Sequence, residues 1–170
     1  MYIGLGSNIE SPKKQIINAI TALGDLPDTR VIKKSGFYKS RPMGPEDQPD
    51  YINAVVEIET TLAADALLAC CQNIEVQQGR IKNRHWGERS IDLDILLYAD
   101  KQIKTSVLTV PHSGICQRDF VYMPLLQLDP DLEIPGVGAL KKILEVALQS
   151  ELPSEENSDF ACEFAGDIDK

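Results

Sequence analysis

Residues 80–100 read RIKNRHWGERSIDLDILLYAD: a basic loop carrying a Trp-Gly pair runs directly into an apolar segment holding two aspartates. From Ile91 to Tyr98 the residues alternate with the two-residue period of a β-strand. Ile91, Leu93, Ile95 and Leu97 are therefore expected on one face, with Asp92 and Asp94 on the other. Their Cα atoms would lie about 6.5 to 7 Å apart at the usual rise per residue, so both carboxylates could converge on one or two hard cations. Aspartate is disfavoured in strands, and neighbouring like charges repel. A pair of them beside a cationic loop points to a metal and a polyphosphate that offset the repulsion. The alternative is a half-buried strand with a solvated polar face.

At 170 residues the chain is long enough for one domain with a proper core. It has no apolar run of about 18 residues, and MYIGLGSNIE lacks the basic and apolar parts of an export signal, so a cytoplasmic location is expected. Cys70, Cys71, Cys116 and Cys162 have neither zinc-site spacing nor the density of a disulfide scaffold. The net charge of -9 is concentrated in residues 151–170, which carry seven acidic residues against Lys170. That segment reads as an acidic, flexible tail attached to a domain spanning 1–150, with docking through Phe160 and Phe164 as the alternative. Overall acidity disfavours nucleic acid. A bound anion would need a local basic pocket, and Arg80, Lys82, Arg84 and Arg89 against Glu88 supply one.

The flanking sequence frames that stretch. YIGLGS is a short strand whose Gly4 and Gly6 permit close approach to the backbone, but GLGSN lacks the spacing of a phosphate-binding loop. Ser11-Pro12 reads as an N-cap and first-turn proline of a helix with Ile16, Ile20 and Leu23 on one stripe. Arg30 to Tyr38 and Ile52 to Thr60 are strand candidates, the second with Ala54, Val56 and Ile58 on one face. Between them KSRPMGPEDQPDY is a long proline-rich loop, either an ordinary surface excursion or a cover over a site. Leu62 to Gln78 predicts a helix with Leu67, Cys71 and Ile74 inward, Glu75 beside them and Gly79 past its end. FVYMPLLQLDPDL predicts a helix kinked or ended by Pro124 and Pro130, and Leu140 to Leu148 a final one. Interleaved strands and helices without a regular βαβ repeat predict an α+β sandwich rather than a doubly wound parallel sheet.

Four blocks, YIGLGSN, FYKSRPMGPEDQPDYINAVVEIET, QQGRIKNRHWGERSIDLDILLY and LTVPH with RDFVYMPLLQLDPDL, resemble in order the 6-hydroxymethyl-7,8-dihydropterin pyrophosphokinases of folate biosynthesis. The resemblance covers residues 1–148 and implies a ferredoxin-like α+β sandwich with a mostly antiparallel central sheet. It implies transfer of pyrophosphate from ATP to a pterin alcohol, with Asp92 and Asp94 holding two Mg2+ ions and with Arg80 and Arg89 catalytic. ATP would be gripped by Arg80, Arg89, His112 and Arg118, with Glu75 near the ribose, Ile95 beside the nucleotide and Trp86 on a mobile loop. The pterin would stack between Tyr51 and Phe120, read by Asn53 and enclosed by Ser40, Arg41, Pro42 and Met43. A monomer is expected, acting on small molecules, with no nucleic acid and no membrane partner. Ser113 departs from the pattern, standing where many relatives carry an aromatic, and so does Lys82, where arginine is common. Two other classes compete: a regulatory module that binds ATP without making AMP, and a metal-dependent phosphohydrolase that has no use for an aromatic sandwich.

Overall fold

The computed structural model describes residues 1–45, 47–80, 87–150 and 162–169. In chain order, β1 (Tyr2–Ser7) leads to α1 (Pro12–Gly24), β2 (Thr29–Lys34), β3 (Phe37–Ser40), β4 (Tyr51–Thr60), α2 (Ala64–Gln77) and β5 (Asp92–Leu97). There follow β6 (Ile103–Lys104), β7 (Thr109–Val110), α3 (Asp119–Leu128), β8 (Glu133–Ile134), β9 (Gly138–Ala139), α4 (Leu140–Ser150) and β10 (Glu163–Gly166). The main sheet has the order β10-β3-β4-β1-β5, with β2 also paired to β4. Its pairings are all antiparallel. In this order α1 and α2 each connect strands that are not neighbours, the split arrangement of a ferredoxin-like α+β sandwich.

Alternation in the strands divides the core into two layers. Ile3, Leu5, Ala54, Val56, Ile58, Leu93 and Ile95 meet Ile16, Ala19, Ile20 and Leu23 of α1 and Leu67, Cys71 and Ile74 of α2. On the other face Tyr2, Val55, Leu96 and Leu97 meet Val121, Leu125 and Leu128 of α3 and Leu140 of α4. This second layer covers only one end of the sheet, and the other end of the same face is left as a pocket.

Several expectations change in detail. Leu97 does not share the face of Ile95: Tyr2 pairs with Leu97 while Ile3 pairs with Ile95, so a bulge inserts Leu96 and turns Leu97 to the opposite layer. The candidate strand from Arg30 to Tyr38 breaks into β2 and β3, because the Ser35 hydroxyl accepts the Val55 N–H at 2.9 Å in place of a ladder bond. Ser11 does not cap α1 with its side chain; it sits at φ 65°, and its carbonyl accepts the Lys14 and Gln15 amides. Helix α3 runs through Pro124 and ends at Leu128.

The larger correction concerns the C-terminus. Residues 162–169 are part of the fold: β10 pairs with β3, placing Glu163 opposite Lys39, Phe164 opposite Tyr38 and Gly166 opposite Phe37. Among the described residues of this segment, Asp169 pairs with Lys34 at 2.5 Å, and Phe164, half of the docking alternative, packs on Tyr38. Residues 151–161, including Phe160, lie outside the described residues.

Candidate active site

The floor of the pocket is bare backbone. Gly6 of β1 pairs with Asn53 of β4 on one side and Asp92 of β5 on the other, and two residues along, Gly4 pairs with Val55 and Asp94. Two lateral rows therefore cross the same face, Asn53–Gly6–Asp92 and Val55–Gly4–Asp94, each with a gap where a side chain would stand. A Cβ on Gly6 would lie 3.3 Å from Asn53 Oδ1, and one on Gly4 would lie 3.3 Å from a Leu96 methyl. The resulting cavity, about 230 Å³, is walled by Ser40, Arg41, Met43, Gly44 and Tyr51 on the β3–β4 side. Arg89, His112, Arg118, Phe120 and Val121 complete its rim.

Asp92 and Asp94 do project to the same face, in different circumstances. Asp92 is ion-paired through one oxygen with Arg80 at 2.6 Å and through the other with Arg89. The same Arg80 nitrogen pairs with Glu75, which is 6% exposed and accepts the Leu93 N–H at 2.7 Å. Glu75 is thus the pin that joins α2 to the outer edge of β5. Asp94 is open to the cleft yet walled in by protein. Loss of hydration, followed by the field of Asp92, pushes its carboxyl above the usual carboxylate range, with His112, Arg89 and Arg118 opposing. Among the described residues no group of three His, Cys, Asp or Glu side chains could hold a metal by itself. The pair suits a cation that takes one or two carboxylates and draws its other ligands from water and substrate, which is the habit of magnesium.

The opposite end of the floor is aromatic and amide-bearing. Asn53 is 7% exposed; its amide nitrogen donates to Ser40 Oγ at 2.9 Å and to the Tyr38 carbonyl at 3.3 Å, leaving Oδ1 towards the Gly6 gap. Tyr51 donates its hydroxyl to the Gly87 carbonyl at 2.8 Å. On the cationic rim, His112 Nδ1 accepts the Gly114 N–H at 3.1 Å, and Gly114 has no side chain to part His112 from Arg118.

Of the residues named from sequence, Ser40, Arg41, Met43, Tyr51, Asn53 and Phe120 line the cavity, together with Arg89, Asp92, Asp94, His112 and Arg118. Pro42 is not among the lining residues. Arg80 and Glu75 lie beneath Asp92 instead of on the cavity wall, and the Ile95 side chain belongs to the core layer on the far face. Trp86 and Lys82 lie outside the described residues. Sequence reasoning missed Asn8, 2% exposed, whose amide donates to Gln48 Oε1 at 3.1 Å and to the Pro49 carbonyl at 3.0 Å. Its Oδ1 accepts the Arg89 N–H at 2.8 Å, so one side chain ties the proline-rich loop to the start of β5. The only hint was its place in the turn directly after YIGLGS.

The family model for 7,8-dihydro-6-hydroxymethylpterin-pyrophosphokinase (HPPK) matches residues 2–130. A 2-amino-4-hydroxy-6-hydroxymethyldihydropteridine pyrophosphokinase from Haemophilus influenzae is 45% identical over 144 residues, covering 85% of this chain and 90% of the relative. Its counterpart from Pseudomonas aeruginosa is 42% identical over 144 residues, covering 85% and 89%. A crystal structure of Plasmodium falciparum HPPK-DHPS superposes with a TM-score of 0.62 at 14% identity, covering 87% of this chain and 43% of that chain. At that identity the likeness speaks for the fold alone, and this chain spans less than half of that protein. The extent of the family match and the identity to two relatives of similar length establish that the chain belongs to the 7,8-dihydro-6-hydroxymethylpterin-pyrophosphokinase family, an ATP-dependent pyrophosphokinase of folate biosynthesis.

Proposed function

We propose that the chain transfers the pyrophosphoryl group of ATP to the hydroxymethyl group of 6-hydroxymethyl-7,8-dihydropterin, yielding the pterin diphosphate and AMP. The supporting observation is the row Asn53–Gly6–Asp92, which places an amide and a carboxylate on either side of an empty glycine position. Strands are spaced about 4.8 Å apart, so this slot admits a flat heterocycle whose reacting arm reaches the carboxylates. Tyr51 and Phe120 are the rings available to stack on it, Asn53 Oδ1 accepts from its edge, and Ser40 to Met43 close the end.

The reaction is an in-line displacement at the β-phosphorus. A bond forms from the acceptor oxygen to that phosphorus, the hydroxyl proton passes to solvent, the bond to the oxygen bridging α and β breaks, and the electron pair leaves with AMP. Two magnesium ions held by Asp92 and Asp94 with phosphate oxygens would supply charge neutralisation and lower the pKa of the acceptor hydroxyl. Arg89, His112 and Arg118 bind the phosphates, and Arg80 is available to them once Asp92 is otherwise engaged. Glu75, Ile95 and Trp86 are assigned to the nucleotide by family resemblance alone: the Glu75 carboxylate is engaged by Arg80 and the Leu93 amide, and the Ile95 side chain faces the core. Rigid placement of both substrates, more than a strong side-chain base, provides the acceleration. The enzyme is proposed to act as a cytoplasmic monomer; no described helix is long and apolar enough to cross a membrane.

The test is to incubate the protein with Mg-ATP and the hydroxymethyl dihydropterin and to analyse the nucleotides. AMP and pterin diphosphate in equal amounts are expected. ADP or free phosphate would sink the reading in favour of a simple kinase or a phosphohydrolase.

A further inference from the structure

The segment 162–169 lies beyond the matched family region, and the reaction above does not use it. It is nevertheless held at four points on four elements. Lys13 of α1 donates to the Ala165 carbonyl at 2.7 Å, and Lys34 of β2 pairs with Asp169 at 2.5 Å. Phe164 sets its ring edge against Tyr38 of β3, with centroids 5.7 Å apart and planes at 78°. The ring occupies the space where Gly36 would otherwise carry a Cβ, so the β2–β3 junction is shaped to receive it. Finally, the Cys162 N–H donates to Asp119 Oδ2 at 2.5 Å.

Asp119 is the first residue of α3, between Arg118 and Phe120 of the pocket rim. While Oδ2 accepts from Cys162, Oδ1 accepts the Phe120 N–H at 2.7 Å. One carboxylate therefore joins the C-terminal segment to the backbone of the ring assigned to the pterin. The strand that β10 extends, β3, reaches the same end of the pocket from the other side, where Ser40 receives the Asn53 amide. We propose that residues 162–166 are a positioning strand for the acceptor end of the site, acting through Asp119 on Phe120 and through β3 on Ser40 and Asn53. Losing it weakens binding of the pterin alcohol and spares ATP, because its anchor points are Lys13, Lys34, Tyr38 and Asp119, none of them assigned to the phosphates. This rests on the assignment of Phe120 and Asn53 to the pterin made above.

The test compares the full chain, a chain ended at residue 161, Asp119→Ala and Asp119→Asn. For each, KM for pterin and for ATP are read from AMP formation, pterin affinity from its own fluorescence, and folding from thermal unfolding. Truncation and Asp119→Ala are expected to raise pterin KM and Kd about fivefold to tenfold, the scale of one or two lost hydrogen bonds, with ATP KM and kcat within about twofold. Asp119→Asn, which keeps an acceptor for the Phe120 amide, recovers part of the loss. Unchanged pterin KM in a folded truncated chain, or equal rises in both KM values, would overturn the proposal. Should the truncated chain not fold, Asp119→Ala decides on the same criteria. Absence of AMP formation by the full chain would instead overturn the functional reading beneath it.

Discussion

Arg80 Nη1 lies 2.6 Å from Asp92 Oδ1 and is also paired with buried Glu75, so the first carboxylate of the D-x-D strand is anchored from below before any ligand arrives. Removing Arg80 leaves Glu75 without its cationic partner in a dry site. Arg80→Ala is expected to cost about 3 to 5 kcal/mol of stability by urea denaturation, the range for breaking a buried ion pair. Adding Glu75→Gln should recover much of it, since glutamine can still accept the Leu93 N–H; failure to recover would mean that the pair is not the source of the loss.

Asp94 works against the fold. Burial and Asp92 raise its folded-state pKa above the unfolded value of about 3.9, so ionising it costs stability. That cost is absent below the unfolded pKa and grows as pH rises through the folded one. Asp94→Asn should therefore raise the unfolding temperature of the ligand-free protein at pH 7, with the gain shrinking towards pH 3. Turnover should fall by at least about a thousandfold in Asp94→Asn or Asp94→Ala, as when preorganised charge is removed from a phosphoryl-transfer site. A folded Asp94 variant that still makes AMP at the normal rate would remove this residue from the metal assignment.

Chelation should separate activity from stability. Because both Asp92 oxygens are already met by Arg80 and Arg89, EDTA is expected to stop AMP formation and leave the unfolding temperature of the ligand-free protein unchanged. Added Mg2+ restores turnover. A large drop in unfolding temperature on chelation would show that the metal is part of the resting fold.

Asn8 couples two segments far apart in sequence, and its loss should be felt in both. Asn8→Ala leaves the Arg89 amide without its acceptor and releases the loop at Gln48 and Pro49, at a cost of about 1 to 3 kcal/mol. Hydrogen exchange should speed up at the Arg89 amide. Protection unchanged from the parent would mean that this joint does not hold β5 in place.

What could be read from the sequence was whatever depends on period and composition. The shared face of Asp92 and Asp94, the α1 stripe of Ile16, Ile20 and Leu23, and the α2 stripe of Leu67, Cys71 and Ile74 are local patterns, and each is present. The aromatic, amide and cationic rim residues were legible through their order along four blocks. What escaped was set by partners distant in the chain. Nothing near Leu96 announces a bulge, which follows from how β5 meets Tyr2 and Ile3. Nor does EFAG look like a strand until Gly36, Tyr38, Lys13 and Lys34 assemble beside it. Asn8 is one polar residue in a turn, and its importance comes from Gln48, Pro49 and Arg89 converging on it.

The bulge at Leu96 also bears on how this chain can tolerate change in length. Strand phase is reset two residues after Asp94, so the carboxylates and the apolar residues that follow are not locked to one count. A residue gained or lost between Asp94 and the bulge can be absorbed by that irregularity, leaving Asp92 and Asp94 facing the pocket. The same change between Ser90 and Asp92 has no slack to use, because Ser7 already holds the Ser90 carbonyl at 2.6 Å, and it would rotate both charges into the layer occupied by Leu93 and Ile95. Insertions and deletions are thus permitted on one side of the aspartates and forbidden on the other.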